Sequence, residues 1–278
     1  MRKKIHNNLT IENLIRTEWF KQFDELQQNE ILKGLQDNLE ISYYAHPYFN
    51  AWQMKEIRTG LKDNLDVSWY AKKEYKYDWR QMEQIRLGLQ EKLDVSIYAK
   101  KEYSWKEMKE IRLGLEDNLN IYIYATTDFN SIQMNQIRIG LEKNLDVSKY
   151  AKSNYNWNQM EQIRLGLASN LDVLIYAKKE FNGYQMEQIR LGLKSNVDVS
   201  IYAKTEFNSK EMKEIRLGLE NNLDVSIFSN KDFSRKQMRQ IRLGLKENLD
   251  VSKYAKTEIF WKKMKKIRKE LLKESTQL

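Results

Sequence analysis

The sequence predicts an all-α protein, an α-solenoid of about ten stacked repeats in which a long helix alternates with a short one. Three observations predict it. Nine of the ten glycines (Gly34, Gly60, Gly88, Gly114, Gly140, Gly166, Gly192, Gly218 and Gly244) step by 26 residues, apart from one step of 28 between Gly60 and Gly88. Methionines from Met54 to Met264 and arginines from Arg58 to Arg268 keep the same beat. A helix-start signature opens unit after unit. Self-similarity at a fixed period marks an architecture in which each unit buries its apolar face against its neighbours.

The elements follow in order. Residues 1–23 read as an N-terminal cap helix, 24–259 as the tandem array and 260–278 as a basic C-terminal cap helix, all within one repeat domain, 1–278. The first unit carries Gln28 and Leu32 where Met and Arg are expected, and the last carries Glu270 in place of glycine. Degenerate terminal units are the expected form of capping repeats.

The unit from Tyr103 to Asp128 shows the local logic. Ser104-Trp105-Lys106-Glu107 is a capping box, in which the serine accepts from a free backbone N–H and the glutamate reaches back. Tyr103 and Met108 form the hydrophobic staple across it. Asp24 and Gln27, Asp78 and Gln81, Asn130 and Gln133, Asn156 and Gln159, Asn208 and Glu211, and Ser234 and Gln237 repeat the box. Met108, Ile111, Leu115 and Leu119 then fall on one helical stripe, with Leu113 on the other side. Asn118 is placed to end the helix in the left-handed conformation. In Leu93–Ala99, Asp94 reads as the N-cap of a second helix of about two turns. A strand is the rival reading, because Val95, Ile97 and Ala99 alternate; the capping boxes favour helices.

The core motifs Gln81–Leu89 (Gln-Met-Glu-Gln-Ile-Arg-Leu-Gly-Leu) and Leu93–Ala99 (Leu-Asp-Val-Ser-Ile-Tyr-Ala) resemble a short helical repeat of uncharacterised bacterial, mobile-element and phage proteins. The resemblance runs from Phe23 to about Leu272. Those proteins often carry Gly where this chain has Asn64 or Asn144, and Pro in the loop where only Pro47 stands here. The resemblance supports the architecture and implies no activity.

Composition excludes several chemistries. The chain has 278 residues, no Cys, two His and one Pro. No thiolate metal site, disulfide or Cys nucleophile is available, and two histidines do not build a multi-His centre. There is no phosphate-binding glycine loop, His-Glu-x-x-His or Gly-x-Ser-x-Gly motif. No apolar run reaches the roughly 20 residues that span a bilayer. The basic start, Arg2 to Lys4, is not followed by the apolar stretch of a signal peptide. The expectation is a cytoplasmic protein with no cofactor, no bound metal and no small-molecule substrate.

Repetition itself argues against catalysis, because near-identical copies offer near-identical environments where acid–base chemistry needs unlike ones. The expectation is therefore not an enzyme. Among the series, the glycines read as permitting close helix packing and the methionines as core. The tyrosines (Tyr70, Tyr98, Tyr124, Tyr150, Tyr176, Tyr202 and Tyr254) read as rings packed between repeats with hydroxyls at the surface. The extra pair Lys76-Tyr77 reads as a loop extension.

The arginine series is the leading candidate for binding: Arg58, Arg86, Arg112, Arg138, Arg164, Arg190, Arg216, Arg242 and Arg268 occupy one helical position. Aligned guanidinium groups suit a phosphate backbone or an acidic partner. The structural alternative pairs each with an Asp of the Leu-Asp-Val-Ser turn, such as Asp66, Asp94 or Asp250. The net charge of +9 is concentrated at the ends, +3 in residues 2–4 and +5 in residues 260–278. Lys262, Lys263, Lys265 and Lys266 are therefore added as candidates. The expected function is a protein that holds a protein or nucleoprotein partner along an extended surface, as a scaffold or a steric inhibitor; a phage or mobile-element inhibitor fits the resemblance. The alternative is nucleic-acid binding through the arginine series and the C-terminal helix.

Overall fold

The computed structural model describes residues 11–276, and among these every regular element is helical, with no strand. Two short helices, α1 (Ile11–Leu14) and α2 (Glu18–Lys21), precede ten long ones. These are α3 (Glu25–Gln36), α4 (Ala51–Lys62), α5 (Trp79–Gln90), α6 (Trp105–Glu116), α7 (Ser131–Glu142), α8 (Trp157–Leu167), α9 (Gly183–Lys194), α10 (Ser209–Leu219), α11 (Arg235–Lys246) and α12 (Trp261–Ser275). The chain divides into two compact units, Met1–Arg138 and Ile139–Leu278. In the first, α3, α4, α5 and α6 pack consecutively; in the second, α8 through α12 do so. The architecture is a tandem stack of helical repeats within each unit.

The helix starts follow the predicted chemistry. In α6 the Ser104 N–H donates to Glu107 and the Glu107 N–H donates back to the Ser104 hydroxyl. Asp24, Asn50, Asp78, Asn156, Asn182 and Asn208 cap their helices in the same reciprocal way. In α11 the Ser234 hydroxyl instead donates to Gln237, and α12 has Phe260 at the cap position and no side-chain cap. The N3 glutamine has a second task. The Gln81 amide donates to the Tyr103 carbonyl of the following repeat at 2.7 Å, and Gln159 and Gln185 do the same to Phe181 and Phe207. One side chain thus satisfies its own helix terminus and grips the next unit.

Helix ends are equally regular. Asn118 has φ of 54°, and Asn38, Asn64, Asn144, Asn170, Asn196, Asn222 and Asn248 match it. The Leu119 N–H donates to the Gly114 carbonyl and Asn118 N–H to Leu115, which is a Schellman closure. Lys92 occupies this left-handed position in its repeat, with φ of 59°. Lysine adopts it less easily than asparagine. Lys92→Asn is expected to stabilise the protein by about 0.5–1 kcal/mol in urea denaturation; an unchanged midpoint would mean that Lys92 is not strained.

Three expectations are corrected. The second helix has no two turns: it is a single three-residue 3-10 turn, as in Val95–Ile97. Asp94 caps it by accepting from the Ser96 N–H, but Tyr98 leaves helical geometry at φ −124° and ends it. The N-terminal cap is not one helix but α1 and α2; Phe20 and Phe23 are buried there, and Gln28 donates to both their carbonyls. Residues 1–10 of that call lie outside the described residues. In the 28-residue step, Tyr77 is not an insert. It fills the buried staple position and its hydroxyl donates to Ala99, as Tyr103 does to Ala125. The extra length is taken up by an added turn, Lys73–Tyr75, closed by Lys76 in the left-handed region.

The tyrosines are also placed differently from expectation. Their hydroxyls do not reach the surface: Tyr70, Tyr98, Tyr176, Tyr202 and Tyr254 are fully buried. Each hydroxyl donates to a helix carbonyl of its own repeat, Tyr202 to Gln188 at 3.1 Å and Tyr98 to Gln84 at 3.1 Å. The glycine ten residues earlier makes this possible. A Cβ on Gly192 would overlap the Tyr202 hydroxyl and come within 2.9 Å of Val199. The glycines permit close packing, but of a tyrosine within the repeat rather than of helix on helix. Burial pushes the Tyr254 hydroxyl up to about 12, so it remains a protonated donor at neutral pH.

Candidate partner-binding surfaces

The predicted arginines lie on the long helices at one position, but their groups are turned into the stack. Each described Nε donates to a Glu or Gln of the preceding repeat. Arg58 meets Glu30 at 2.7 Å, Arg86 meets Glu56 at 2.8 Å, Arg138 meets Glu110 at 2.8 Å and Arg242 meets Glu214 at 2.9 Å. Arg112, Arg190, Arg216 and Arg268 donate to the amide oxygens of Gln84, Gln162, Gln188 and Gln240, at 3.0–3.2 Å. Where the acceptor is a neutral amide, a carboxylate takes the guanidinium's other edge for Arg112 (Glu116), Arg216 (Glu220) and Arg268 (Glu247). Arg164 is buried in the same register.

In the described contacts of these arginines the aspartates of the Leu-Asp-Val-Ser turn are not the partners. Asp94, Asp198 and Asp250 accept from the backbone and hydroxyl of the serine two residues on, closing their own turns. The carboxylates that meet the Nε atoms, Glu30, Glu56, Glu110 and Glu214, stand two residues before the arginine position of their own repeat, which Leu32 fills in the first. Burial works against the charge of Glu30, but hydrogen bonds from Lys33 and Arg58 outweigh it and hold its carboxyl below the usual range. The side chains of Arg58, Arg112 and Arg216 are 14%, 11% and 10% exposed. The series joins repeat to repeat and leaves a thin edge for anything else.

The C-terminal candidates are placed oppositely. Lys262, Lys263, Lys265 and Lys266 are all exposed on α12. Lys266 approaches Glu270 at 3.9 Å, an exposed pair of little energetic weight.

The structure also exposes a row that the sequence reading did not single out. It lies at the first and second positions of the long helices, just past each cap. In the first unit Trp52 is 55% exposed, and its ring centroid is 5.8 Å from that of Trp79. The Arg80 guanidinium lies 4.9 Å from the Trp79 ring and 5.8 Å from Trp105, and Lys55 and Lys106 sit over Trp52 and Trp105. Beyond Trp105, a shallow groove of about 270 Å³ is lined by Lys106, Lys109, Ile132 and Asn135, with Ile132 half-exposed. In the second unit Trp157 and Tyr184 are exposed at the corresponding positions of α8 and α9. The signal was present as Trp52, Trp79, Trp105, Trp157 and Trp261, but it slides between the first and second helical positions and breaks the strict period.

Among the described residues no group of three or more His, Cys, Asp or Glu side chains is placed to hold a metal, and no helix is long and apolar enough to cross a membrane. Compared with known proteins, the chain matches no family model, no curated protein and no solved structure.

Proposed function

We propose that the protein is a non-enzymatic repeat protein that binds a protein or nucleoprotein partner and acts by occupying it, as a scaffold or a steric inhibitor. The observation that carries this reading is the row of Trp52, exposed, and Trp79 and Trp105, half-buried, with the exposed cations Lys55, Arg80 and Lys106. The fold does not require it. The staples, capping boxes, Gly–Tyr pairs and Arg–Glu contacts that hold each unit use other positions. Aromatic and arginine side chains in a partly covered row are the residue types that dominate binding energy at protein interfaces. Residues at the first two helical positions vary from repeat to repeat, so recognition changes along the edge while the packing stays constant.

The test is capture from a native lysate with tagged wild-type protein and a Trp52→Ser/Trp105→Ser variant, with and without nuclease, read by mass spectrometry. The expected result is a stoichiometric protein that survives nuclease and is reduced at least about tenfold by the variant, consistent with two lost anchors. Equal capture by both forms, or no stoichiometric protein, counts against this surface.

A further inference from the structure

The last three helices of the second unit carry a cationic set just past their caps. The second and fifth positions of three consecutive helices are Lys210 and Lys213 on α10, Lys236 and Arg239 on α11, and Lys262 and Lys265 on α12. All six are exposed. The equivalent positions on α8 and α9 are Asn158 and Glu161, and Tyr184 and Glu187, so within these five helices of the second unit the charge is confined to the last three; in the first unit α6 carries the same pair as Lys106 and Lys109. Positions three apart on a helix are neighbours at about 5–6 Å, and packed helices lie about 8–10 Å apart. The six cations therefore form two parallel columns over about 20 Å.

The nearby acids do not neutralise this face. Glu211 is held by its capping contacts and by Lys231, and Glu214 is buried against Arg242 and Arg235. Glu220 and Glu247 are taken by Arg216 and Arg268. Among the described residues none of the six side chains makes an ion pair; the exposed pair of α12 belongs to Lys266. Like charges this close repel one another, and a polyanion laid across them relieves that repulsion.

We infer that the α10–α12 face binds the phosphate backbone of a nucleic acid duplex, without reading its sequence. Two features favour this over an acidic polypeptide. Protein interfaces are depleted in lysine and carry apolar anchors at their centre. Here the two columns contain no apolar side chain; the adjacent rings stand at one end, Trp261 flanked by Lys236 at 4.7 Å and Lys262 at 5.9 Å, and Phe260 beside it at 5.8 Å. A duplex instead supplies negative charge along a fixed line at spacings shorter than the columns need. Lys210, Lys213, Lys236 and Arg239 are the new members of the site, and the arginine series contributes none. The inference uses residues of the second unit only and does not depend on the tryptophan row.

The experiment is fluorescence anisotropy of a labelled DNA duplex of about 20 base pairs and arbitrary sequence, titrated with the full chain between about 50 and 200 mM salt. Contact with four or more phosphates predicts a linear fall of log affinity with log salt, about a hundredfold or more over that range. Lys236→Glu/Arg239→Glu, both on the exposed face, is expected to weaken binding at least about tenfold and to flatten the salt slope. A Lys100→Glu/Lys101→Glu control in the first unit and the Trp52→Ser/Trp105→Ser variant should bind as wild type. Circular dichroism confirms that the variants fold. Absence of binding at the lowest salt, or unchanged binding by K236E/R239E, overturns the inference. Displacement of the duplex by polyglutamate at equal charge concentration also overturns it, in favour of an acidic protein partner.

Discussion

Replacing Gly192 by alanine is expected to cost about 3 kcal/mol or more, far beyond a normal helix glycine, where alanine usually stabilises. The added methyl group would occupy the space of the Tyr202 hydroxyl and press on Val199. Overpacking a tight core costs about 1–3 kcal/mol. Displacing the hydroxyl from the Gln188 carbonyl leaves a buried donor unpaired, a further cost of about 1–3 kcal/mol. The double variant Gly192→Ala/Tyr202→Phe removes the atom in the way, so it should recover part of the loss. Thermal denaturation of the two single variants and the double variant measures the coupling. Strict additivity would show that glycine and tyrosine are not a matched pair. The repeat with Gly218 already carries Phe228, which shows that the hydroxyl can be dispensed with while the glycine is kept.

Arg242→Ala should be nearly as damaging, for an electrostatic reason. Its Nε donates to Glu214, whose side chain is 3% exposed. Removing one partner of a buried pair leaves an uncompensated charge and typically costs about 3–5 kcal/mol. Arg235, at 3.5 Å from the other carboxylate oxygen, should hold the loss to the lower end. Glu214→Gln, by contrast, should change stability by no more than about 1 kcal/mol, because Gln188 and Gln240 accept from Arg216 and Arg268 in the same geometry. The two variants separate charge from packing, because Arg242→Ala strands the Glu214 carboxylate whereas Glu214→Gln keeps the acceptor oxygen in place. Equal losses in both variants, measured by thermal denaturation, would mean that volume, not charge, holds the repeats together here.

These cases show how much of the structure could be read in advance. Backbone-local chemistry was legible: the capping boxes, the staples and the left-handed Asn118 are written in residues within a few positions of one another. Partners at longer range were harder. Aspartate was the obvious counter-ion for the arginines because it recurs as faithfully as they do. The true acceptor is Glu in some repeats and Gln in others, which hides it from a search for charge although both present a side-chain oxygen. Its position, two residues before each arginine, becomes visible only once helices one repeat apart are known to lie side by side. Gly and Tyr keep a fixed separation of ten residues, yet the sequence does not say that the ring folds back under the helix. The exposed tryptophans escaped because a surface row has no need to keep an exact period.

The acceptor position also distinguishes the two ends of the chain. Leu32 stands where the first repeat's arginine is expected, so Glu30 receives a partner and its own repeat sends none back. At the other end Lys266 stands where an acceptor belongs, and it is 77% exposed, whereas Glu214 is 3% exposed. The described contacts between them all run the same way, given backwards by the arginine of one repeat and taken by the Glu or Gln of the repeat before it. Loss or duplication of a whole internal repeat by recombination within the gene would therefore encode a chain in which each arginine still meets an acceptor. Array length can drift over generations without exposing a broken link, and the two terminal units are the ones that such events must spare.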